Sequence, residues 1–500
     1  MVNSRSFDFS DLLDRVRPLI PPDLKVFLVG GAVRDVLLAC PTHDLDFVLS
    51  GDVLGFSRHL ADRLGAAYYP LDVKRGTARL IFINPDGSRD VLDFARLRGP
   101  DLESDLRGRD FTINAIAISV HNPQVLVDPL GGVADLRAGQ IRSCSETTFQ
   151  EDPVRILRAI RLAAAFDFRI LPETRKQMRQ ALEGLSQVSA ERLRDELFRI
   201  LEGPKPATAI RALDLMGALP YILPELPALK GVKQSAPHLM DVWEHTLDVL
   251  RKLEVVLAAL ALQHDPDAAA NLARGQLSLR LGRYRQQIHV HLAAGINPVR
   301  NLRATLFFAA LYHDVGKPAT QQVDESGRIR FYEHEKVGAQ IVSKRSHFLR
   351  LSNIEMERLK TIVRHHMRPL LLAQSAQLPT RRAVYRFFRD TGPTGVDICL
   401  LSLADTLAAY GPSLPQDTWA HQLDVVRALL EAWWERPEEN VSPPALVDGN
   451  FLIQTFDLKP GPLIGRLLDM VREAQATGEI VDRQDASKLV QEFLAKRDNA

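Results

Sequence analysis

The stretch Val26 to Asp46, VFLVGGAVRDVLLACPTHDLD, limits what this chain can fold into more than any other part of it. Val26-Phe27-Leu28-Val29 is an apolar, partly β-branched run of strand length. Gly30-Gly31 breaks that run with a turn no bulky residue could make and lets backbone approach a ligand closely. Ala32 to Cys40 reads as one short helix with Arg34 and Asp35 in its first turns, and Pro41-Thr42-His43 ends it. A second strand follows, Asp44 to Leu49. Residues two apart on a strand share a face, so Asp44 and Asp46 stand side by side while Leu45 and Phe47 turn to the core.

Two carboxylates held that close repel each other unless something positive lies between them. A shared proton would serve, and so would a divalent ion. The Gly-Gly turn opening a helix is a ready anion site. Hard oxygen ligands beside a phosphate cradle favour Mg²⁺, which binds through one or two carboxylates and substrate phosphates. Such a site supports two-metal phosphoryl or nucleotidyl transfer. The competing reading is an exposed polar pair on a half-buried strand, and an Asp-x-Asp without the glycines upstream would favour it.

Gly30-Gly31-Ala32-Val33-Arg34-Asp35 followed by Asp44-Leu45-Asp46 resembles the class II nucleotidyltransferases, the tRNA CCA-adding enzymes and bacterial poly(A) polymerases. The resemblance implies an α+β head like the DNA polymerase β palm, then an all-α neck, an HD-type helical body and a helical tail. It implies that Gly31 and Arg34 contact the incoming nucleotide and that Asp44 and Asp46 hold the metals. We place the parts at 1–145, 146–215, 216–440 and 441–500.

A chain of 500 residues predicts several domains. Hydrophobic residues at 46% and charged residues at 25% match a soluble globular protein. The formal net charge of +1 neither announces nor excludes an RNA partner, because basic and acidic residues can be segregated. Cys40, Cys144 and Cys399 are odd in number and far apart, forming no metal spacing and no disulfide framework. Met1 to Leu13 has no continuous apolar core and does not read as a signal peptide, and no apolar run reaches membrane-spanning length. The expected compartment is the cytoplasm.

Further along, a helix is expected from Phe56 to Leu64, then a strand from Ala78 to Ile83. Asn84-Pro85-Asp86-Gly87 is a hairpin turn signal, and Asp90 to Phe94 returns as the partner strand. Asp93 could face Asp44 and Asp46 as a third acidic group, or end the hairpin in solvent. Arg107-Gly108-Arg109-Asp110-Phe111-Thr112-Ile113-Asn114-Ala115 resembles the family's Arg-Arg-Asp-Phe-Thr-x-Asn-Ala segment, departing from it at Gly108. Arg109, Asp110 and Asn114 lie at helical spacing and could together hold a ribose and its phosphates. A capped surface helix is the alternative.

Glu151-Asp152-Pro153-Val154-Arg155 bears on substrate choice. Pro153 sits where helices begin, making Asp152 the expected N-cap, with Arg155, Arg158 and Arg161 as a basic stripe behind it. A carboxylate at Asp152 accepts from an exocyclic amine, and Arg155 donates to a neighbouring ring acceptor. Cytosine and adenine offer that pair of groups; uracil and guanine put carbonyl oxygens where donors are needed. A site built this way rejects mismatches because a buried polar partner is left unpaired. In the resembling family Glu-Asp-x-x-Arg is the protein template, which implies CTP and ATP as substrates, and Arg158 and Arg161 match positions that also contact the nucleotide.

Ser189 to Leu197 opens a further helix, Gly203-Pro204-Lys205-Pro206 marks a boundary, and from about Pro220 the chain reads as helical to its end. Trp243-Glu244-His245-Thr246, Tyr312-His313-Asp314-Val315-Gly316-Lys317-Pro318, Glu333-His334-Glu335, His365-His366 and Asp405 resemble the HD phosphohydrolase superfamily. That implies a site of His245, His313, Asp314, His334, His365 and Asp405 for a transition-type divalent metal, able to activate water. The alternative is an HD scaffold kept only as a body for RNA. Gln263 to Asn297, with Arg280, Arg283 and Arg285, reads as an inserted helical segment of unassigned role. Pro437 to Pro444 reads as a linker before a tail whose amphipathic helix begins near Ile464; its resemblance to the family implies contact with the tRNA elbow.

The expected activity is addition of CMP and AMP to the tRNA 3′ end. CC-only addition, A-only addition and poly(A) polymerase are its near relatives. Poly(A) polymerases of the family carry a Gly-basic-basic-Phe-Arg run that Val73-Lys74-Arg75-Gly76-Thr77-Ala78 lacks. An HD-type phosphohydrolase with an RNA-sensing head is the rival from another class, and a non-catalytic RNA-binding module is the third reading.

Overall fold

The structure is a computed structural model and describes residues 11–40, 44–83, 89–263 and 271–498. The helix stop at Pro41-Thr42-His43, the turn Asn84–Gly87 and part of the 263–297 segment lie outside these residues. Of the described residues, those up to Ser189 together with Leu215–Tyr221 form one compact unit; Ala190–Asp214 and those from Ile222 onward form the other.

The first unit is built on a seven-stranded sheet in the order β3-β4-β5-β2-β1-β6-β7. The strands are β1 Val26–Val29, β2 Asp44–Leu49, β3 Ala67–Asp72, β4 Thr77–Ile83, β5 Arg89–Arg96, β6 Ala117–Ser119 and β7 Leu126–Val127. Neighbours are antiparallel except β2 and β5, which run parallel. Helix α1 (Gly31–Leu37) connects β1 to β2, and α2 (Val53–Leu64) follows β2, its first turn capped by the Asp52 carboxylate accepting from Gly55 N–H. The alternation along β2 is the one its sequence dictates. Leu45 and Phe47 are each 1% exposed in the core, and Phe47 stacks on Phe94 with ring centroids 4.9 Å apart. Later in the chain come α3 (Leu102–Arg107), whose Leu106 packs with Val29 and Val48, then α4 (Thr148–Glu151) and α5 (Arg155–Phe166).

Two expectations need correcting here. The neck segment is not purely helical, because β9 (Arg169–Ile170) pairs parallel with β8 (Gln140–Ile141). The segment after Pro220 is not purely helical either: β10 (Gln321–Val323) and β11 (Ile329–Phe331) form a small hairpin around Asp324. Both are too short to show a two-residue period above the helical background.

The second unit is otherwise helical. It includes α6 (Ala190–Glu202), α7 (Val242–Ala259), α8 (Leu272–Leu281), α9 (Arg285–Ala293) and α10 (Leu302–Tyr312). Then come α11 (His334–Phe348), α12 (Asn353–His365), α13 (Gly395–Tyr410) and α14 (Gln416–Trp434). A Ser352–Glu355 capping box starts α12, and the same Glu355 carboxylate takes Arg300 at 2.6 Å. The arginines of the inserted segment are not a free basic face. Arg280 pairs with Asp424 at 3.0 Å, Arg283 with Glu435, and Arg285 donates to the Ala259 carbonyl at 3.2 Å. His291 of α9 lies 3.3 Å from the buried Asp397 carboxylate of α13, so this segment is docked within its unit. The last helices, α15 (Gly449–Phe456), α16 (Pro462–Thr477) and α17 (Arg483–Asp498), have their own small core around Leu452, Leu467 and Val490.

Candidate active site and a buried histidine cluster

Parallel pairing of β2 with β5 sets Asp46 directly beside Asp93, and Asp44 shares their face of the sheet. All three carboxylates therefore project from one side while Leu45, Phe47, Leu92 and Phe94 fill the other. The third acid, left open by the sequence, is placed with the pair. The tip of Asp46 meets solvent, yet its carboxyl is raised above the ordinary range, first by the protein packed around it and then by Asp93. Arg109 and Arg158 pull it down and offset that rise only in part. Carboxylate oxygens facing the same way are the hard donors a divalent ion takes.

Gly30 holds φ +77° at the mouth of α1. A Cβ added there would lie 3.3 Å from Arg109 Nη1 and 3.4 Å from Asp46 Oδ2, so only glycine lets the chain pass between them without strain. Arg109 is held from behind by Asp105, whose Oδ2 accepts from Nε at 3.1 Å and Nη2 at 2.9 Å.

The remaining residues form one network. Arg34 donates to Asp35 Oδ1 at 2.7 Å and to Asn114 Oδ1 at 2.7 Å, and its guanidinium lies 4.8 Å from the centre of the Phe166 ring. The Asn114 amide donates to Asp110 Oδ1 at 3.0 Å, and Arg158 Nε stands 2.6 Å from Asp110 Oδ2. Burial alone would raise the Asp110 carboxyl, but Arg158, Asn114 and the Phe111 N–H hold it below the usual range. Arg161 follows on the same helix, half-buried. The expectation that Arg109, Asp110 and Asn114 share one helical face is wrong. Phe111 is extended and fully buried, so the chain turns there: Arg109 goes to Asp105 and the Asp46 side, while Asp110 and Asn114 go to Arg34 and Arg158. The surface-helix alternative falls with it, since Asp110 and Asn114 are buried.

Asp152 is not the N-cap of α5. It lies in extended backbone between α4 and α5, with its carboxylate 3.9 Å from Arg155 Nε. Arg155 is braced by donating to the Thr148 carbonyl at 3.2 Å and the Gly108 carbonyl at 3.1 Å. Released from capping, the Asp152 side chain sits beside the arginine it was expected to work with.

Sequence reasoning missed Arg79 and Asp105. Arg79 of β4 is opposite Asp93 in register and grips both its oxygens, at 2.8 Å and 2.7 Å. Asp105 stands four residues before Arg109, a spacing that could have been read as a helical ion pair.

The second cluster lies in the other unit. His245 comes from α7, His313 and Asp314 follow α10, His334 opens α11, His366 follows α12 and Asp405 lies on α13. His313 Nδ1 faces the Ala310 carbonyl at 2.7 Å, His334 Nδ1 faces Phe331 at 2.9 Å, and His366 Nδ1 faces Val363 at 2.8 Å. A carbonyl accepts only, so each Nδ1 carries the proton and each Nε2 lone pair is left for the cluster. His313 Nε2 has no directed hydrogen-bond partner although it is buried. Two groups of ligand atoms result, His245-His313-Asp314 and Asp314-His334-His366, each within 4.8 Å, with Asp314 common to both. Asp405 Oδ1 adds a carboxylate 3.0 Å from His245 Nε2. This imidazole-rich set fits a transition-type divalent ion.

His365 is a correction. Successive helical residues point about 100° apart, so only one of the His365-His366 pair can face the cluster, and it is His366. Burial and neighbouring cations push His366 down to about 3, while Asp314 beside His313 raises that imidazole against the effect of burial. His238, whose ring lies 4.6 Å from that of His245, also borders the cluster and was missed because it precedes the helix.

Three acids on a strand pair, a glycine turn and a network of arginines have the make-up of a nucleotidyltransferase head, and comparison with known proteins gives the same class. Residues 26–142 match the poly A polymerase head domain, 167–229 the probable RNA and SrmB-binding site of polymerase A, and 276–410 the HD domain. The chain is 35% identical to the A-adding tRNA nucleotidyltransferase of Deinococcus radiodurans, covering 96% of this chain and 98% of that one. It is 32% identical to the CC-adding tRNA nucleotidyltransferase of Thermus thermophilus, covering 92% of each. The chain belongs to the tRNA nucleotidyltransferase family. A solved CCA-adding enzyme with ATP shares the fold, with a TM-score of 0.60, 21% identity and coverage of 97% of this chain and 96% of that one. Membership in this family implies dependence on a divalent metal. Among the described residues no helix is long and apolar enough to cross a membrane.

Proposed function

We propose that this protein adds CMP and AMP to the 3′ end of tRNA, with CTP and ATP as substrates, Mg²⁺ as the metal and the cytoplasm as its compartment. The observation that carries the reading is the register that sets Asp46 beside Asp93 with Asp44 on the same face. Asp44, Asp46 and Asp93 would hold the metal, which when bound lowers the barrier by activating the attacking hydroxyl and neutralising the triphosphate. Gly31, Arg34 and Arg109 bind the triphosphate and ribose, with Asp110 and Asn114 fixing Arg34 and Arg158 in place. Asp152 accepts the amine of cytosine or adenine and Arg155 donates to the adjacent ring nitrogen; Arg158 and Arg161 line the same side. The RNA 3′-hydroxyl attacks the α-phosphorus, the new phosphodiester forms and pyrophosphate leaves. The division into head, neck, body and tail at 1–145, 146–215, 216–440 and 441–500 goes with this reading, the tail serving tRNA.

A second reading is restriction to one nucleotide type, favoured by the full-length relatives named for A-adding and for CC-adding activity. One assay separates the two. Purified protein and Mg²⁺ are given tRNAs lacking one, two or all three terminal nucleotides, with each NTP supplied alone and in pairs. Extension through all three positions supports the first reading; arrest after the cytidines, or extension only of tRNA lacking the final adenosine, supports the second. No extension of any substrate would refute both.

For the histidine cluster we infer a transition-type divalent ion held by His245, His313, Asp314, His334, His366 and Asp405, supporting phosphoester hydrolysis as a second activity. Metal analysis of the protein and of a His313→Ala variant tests it.

A further inference from the structure

The exposed side of the α11–α12 pair carries a groove of about 450 Å³ whose role nothing above explains. Lys336 and Lys344 of α11 and Lys360 and Arg364 of α12 line it, and the floor is apolar, formed in part by Ala339. The chain as a whole is nearly neutral, so four cations around one groove are a local segregation of charge. Two of them have acidic neighbours on their own helix: Lys336 pairs with Glu333, and Lys360 with Glu357 at 3.2 Å. Such exposed pairs are weak and leave the lysines available to a stronger anion. Among the described residues Lys344 and Arg364 have no acidic partner, and both are exposed.

Spacing decides the kind of anion. Lys336 and Lys344 are eight residues apart on α11, roughly 12 Å along the axis, and Lys360 and Arg364 are about 6 Å apart on α12. The charges are strung out as a track rather than gathered on one point. A single phosphate or a mononucleotide could use only part of it, whereas successive phosphodiesters could use all of it. We propose that the α11–α12 groove binds the phosphate backbone of the RNA substrate, a contact that positions the RNA without reading its sequence. This rests on the RNA-directed activity proposed above.

The test uses the full chain. Lys344→Glu/Arg364→Glu is compared with wild type for tRNA affinity across a KCl series, and for KM and kcat of nucleotide addition. The expected result is binding weakened roughly tenfold at moderate salt, and a log K against log salt slope shallower by about 1.4 to 1.8, two phosphate contacts' worth. KM for tRNA should rise while kcat at saturating tRNA and KM for CTP stay unchanged. The neutral pair Lys344→Gln/Arg364→Gln should show the same slope change; both positions are exposed, and thermal unfolding verifies that the fold is intact. A wild-type chain that extends tRNA, beside variants that keep its slope and KM, would overturn this inference alone. A wild-type chain that neither binds nor extends tRNA would overturn it together with the parent reading.

Discussion

The two metal-capable clusters solve the same problem in opposite ways. In the first unit three carboxylates stand on one face of a sheet, and backbone register alone sets their spacing. In the second, four imidazoles and two carboxylates from separate helical segments converge in a fully buried pocket, three of the rings aimed by the carbonyl three residues earlier. The open cluster collects hard oxygens and electrostatic strain; the buried one collects nitrogen donors and fixed tautomers. Chemistry that must exchange metal with each nucleotide suits the first, and a resident ion suits the second.

The comparison is broken most forcefully at Asp44. Asp44→Ala should cut nucleotide transfer with CTP and ATP alike by roughly a thousandfold or more, since metal charge stabilisation is worth several kcal/mol. Metal bound at the histidine cluster, measured by elemental analysis, should not change. Next in size is base choice. Arg155→Lys keeps the charge but loses the planar fork, and discrimination of CTP over UTP should fall on the order of a hundredfold in kcat/KM. An unaltered ratio would remove Arg155 from the template.

The histidine pair offers a sharper contrast. His366→Ala should weaken metal binding about 10- to 100-fold, and His365→Ala should leave it near wild type. The reverse order, read by metal titration, would put the wrong ring in the cluster. The smallest effect is on stability. Because the folded Asp46 carboxyl is raised, its ionisation costs the metal-free fold. Its stabilising share is present below the ordinary value of 3.8 and is lost as pH rises through the folded value. Asp46→Asn should therefore raise the melting temperature of metal-free protein slightly at neutral pH, while abolishing transfer. The difference from wild type should vanish in acid.

What could be read in advance followed from short-range geometry. The period of two in Asp44-Leu45-Asp46-Phe47 fixed which side chains were buried, and the apolar run before Gly30 fixed β1. Asp93 could not be placed, because its side depends on β5 lying parallel to β2, a long-range pairing with no local signal. Arg79 was hidden for the same reason. Asp152 was misread because Pro153 suggested a helix start two residues before the helix begins, and boundaries shift by that much. Choosing between His365 and His366 needed a helical phase that two adjacent identical residues do not provide. In the histidine cluster, motif order named five of the six side chains that converge there: His245, His313, Asp314, His334 and Asp405. Only the folded helices could show that Asp314 is shared by both groups.

The most direct test is a crystal of the protein with Mn²⁺ in place of Mg²⁺ and a non-reacting CTP analogue, read by anomalous scattering. We predict a manganese peak within ligand distance of Asp44 and Asp46, with the triphosphate beside Arg34 and the cytosine amine facing Asp152. Nucleotide density away from these acids, with manganese only at the histidine cluster, would contradict it.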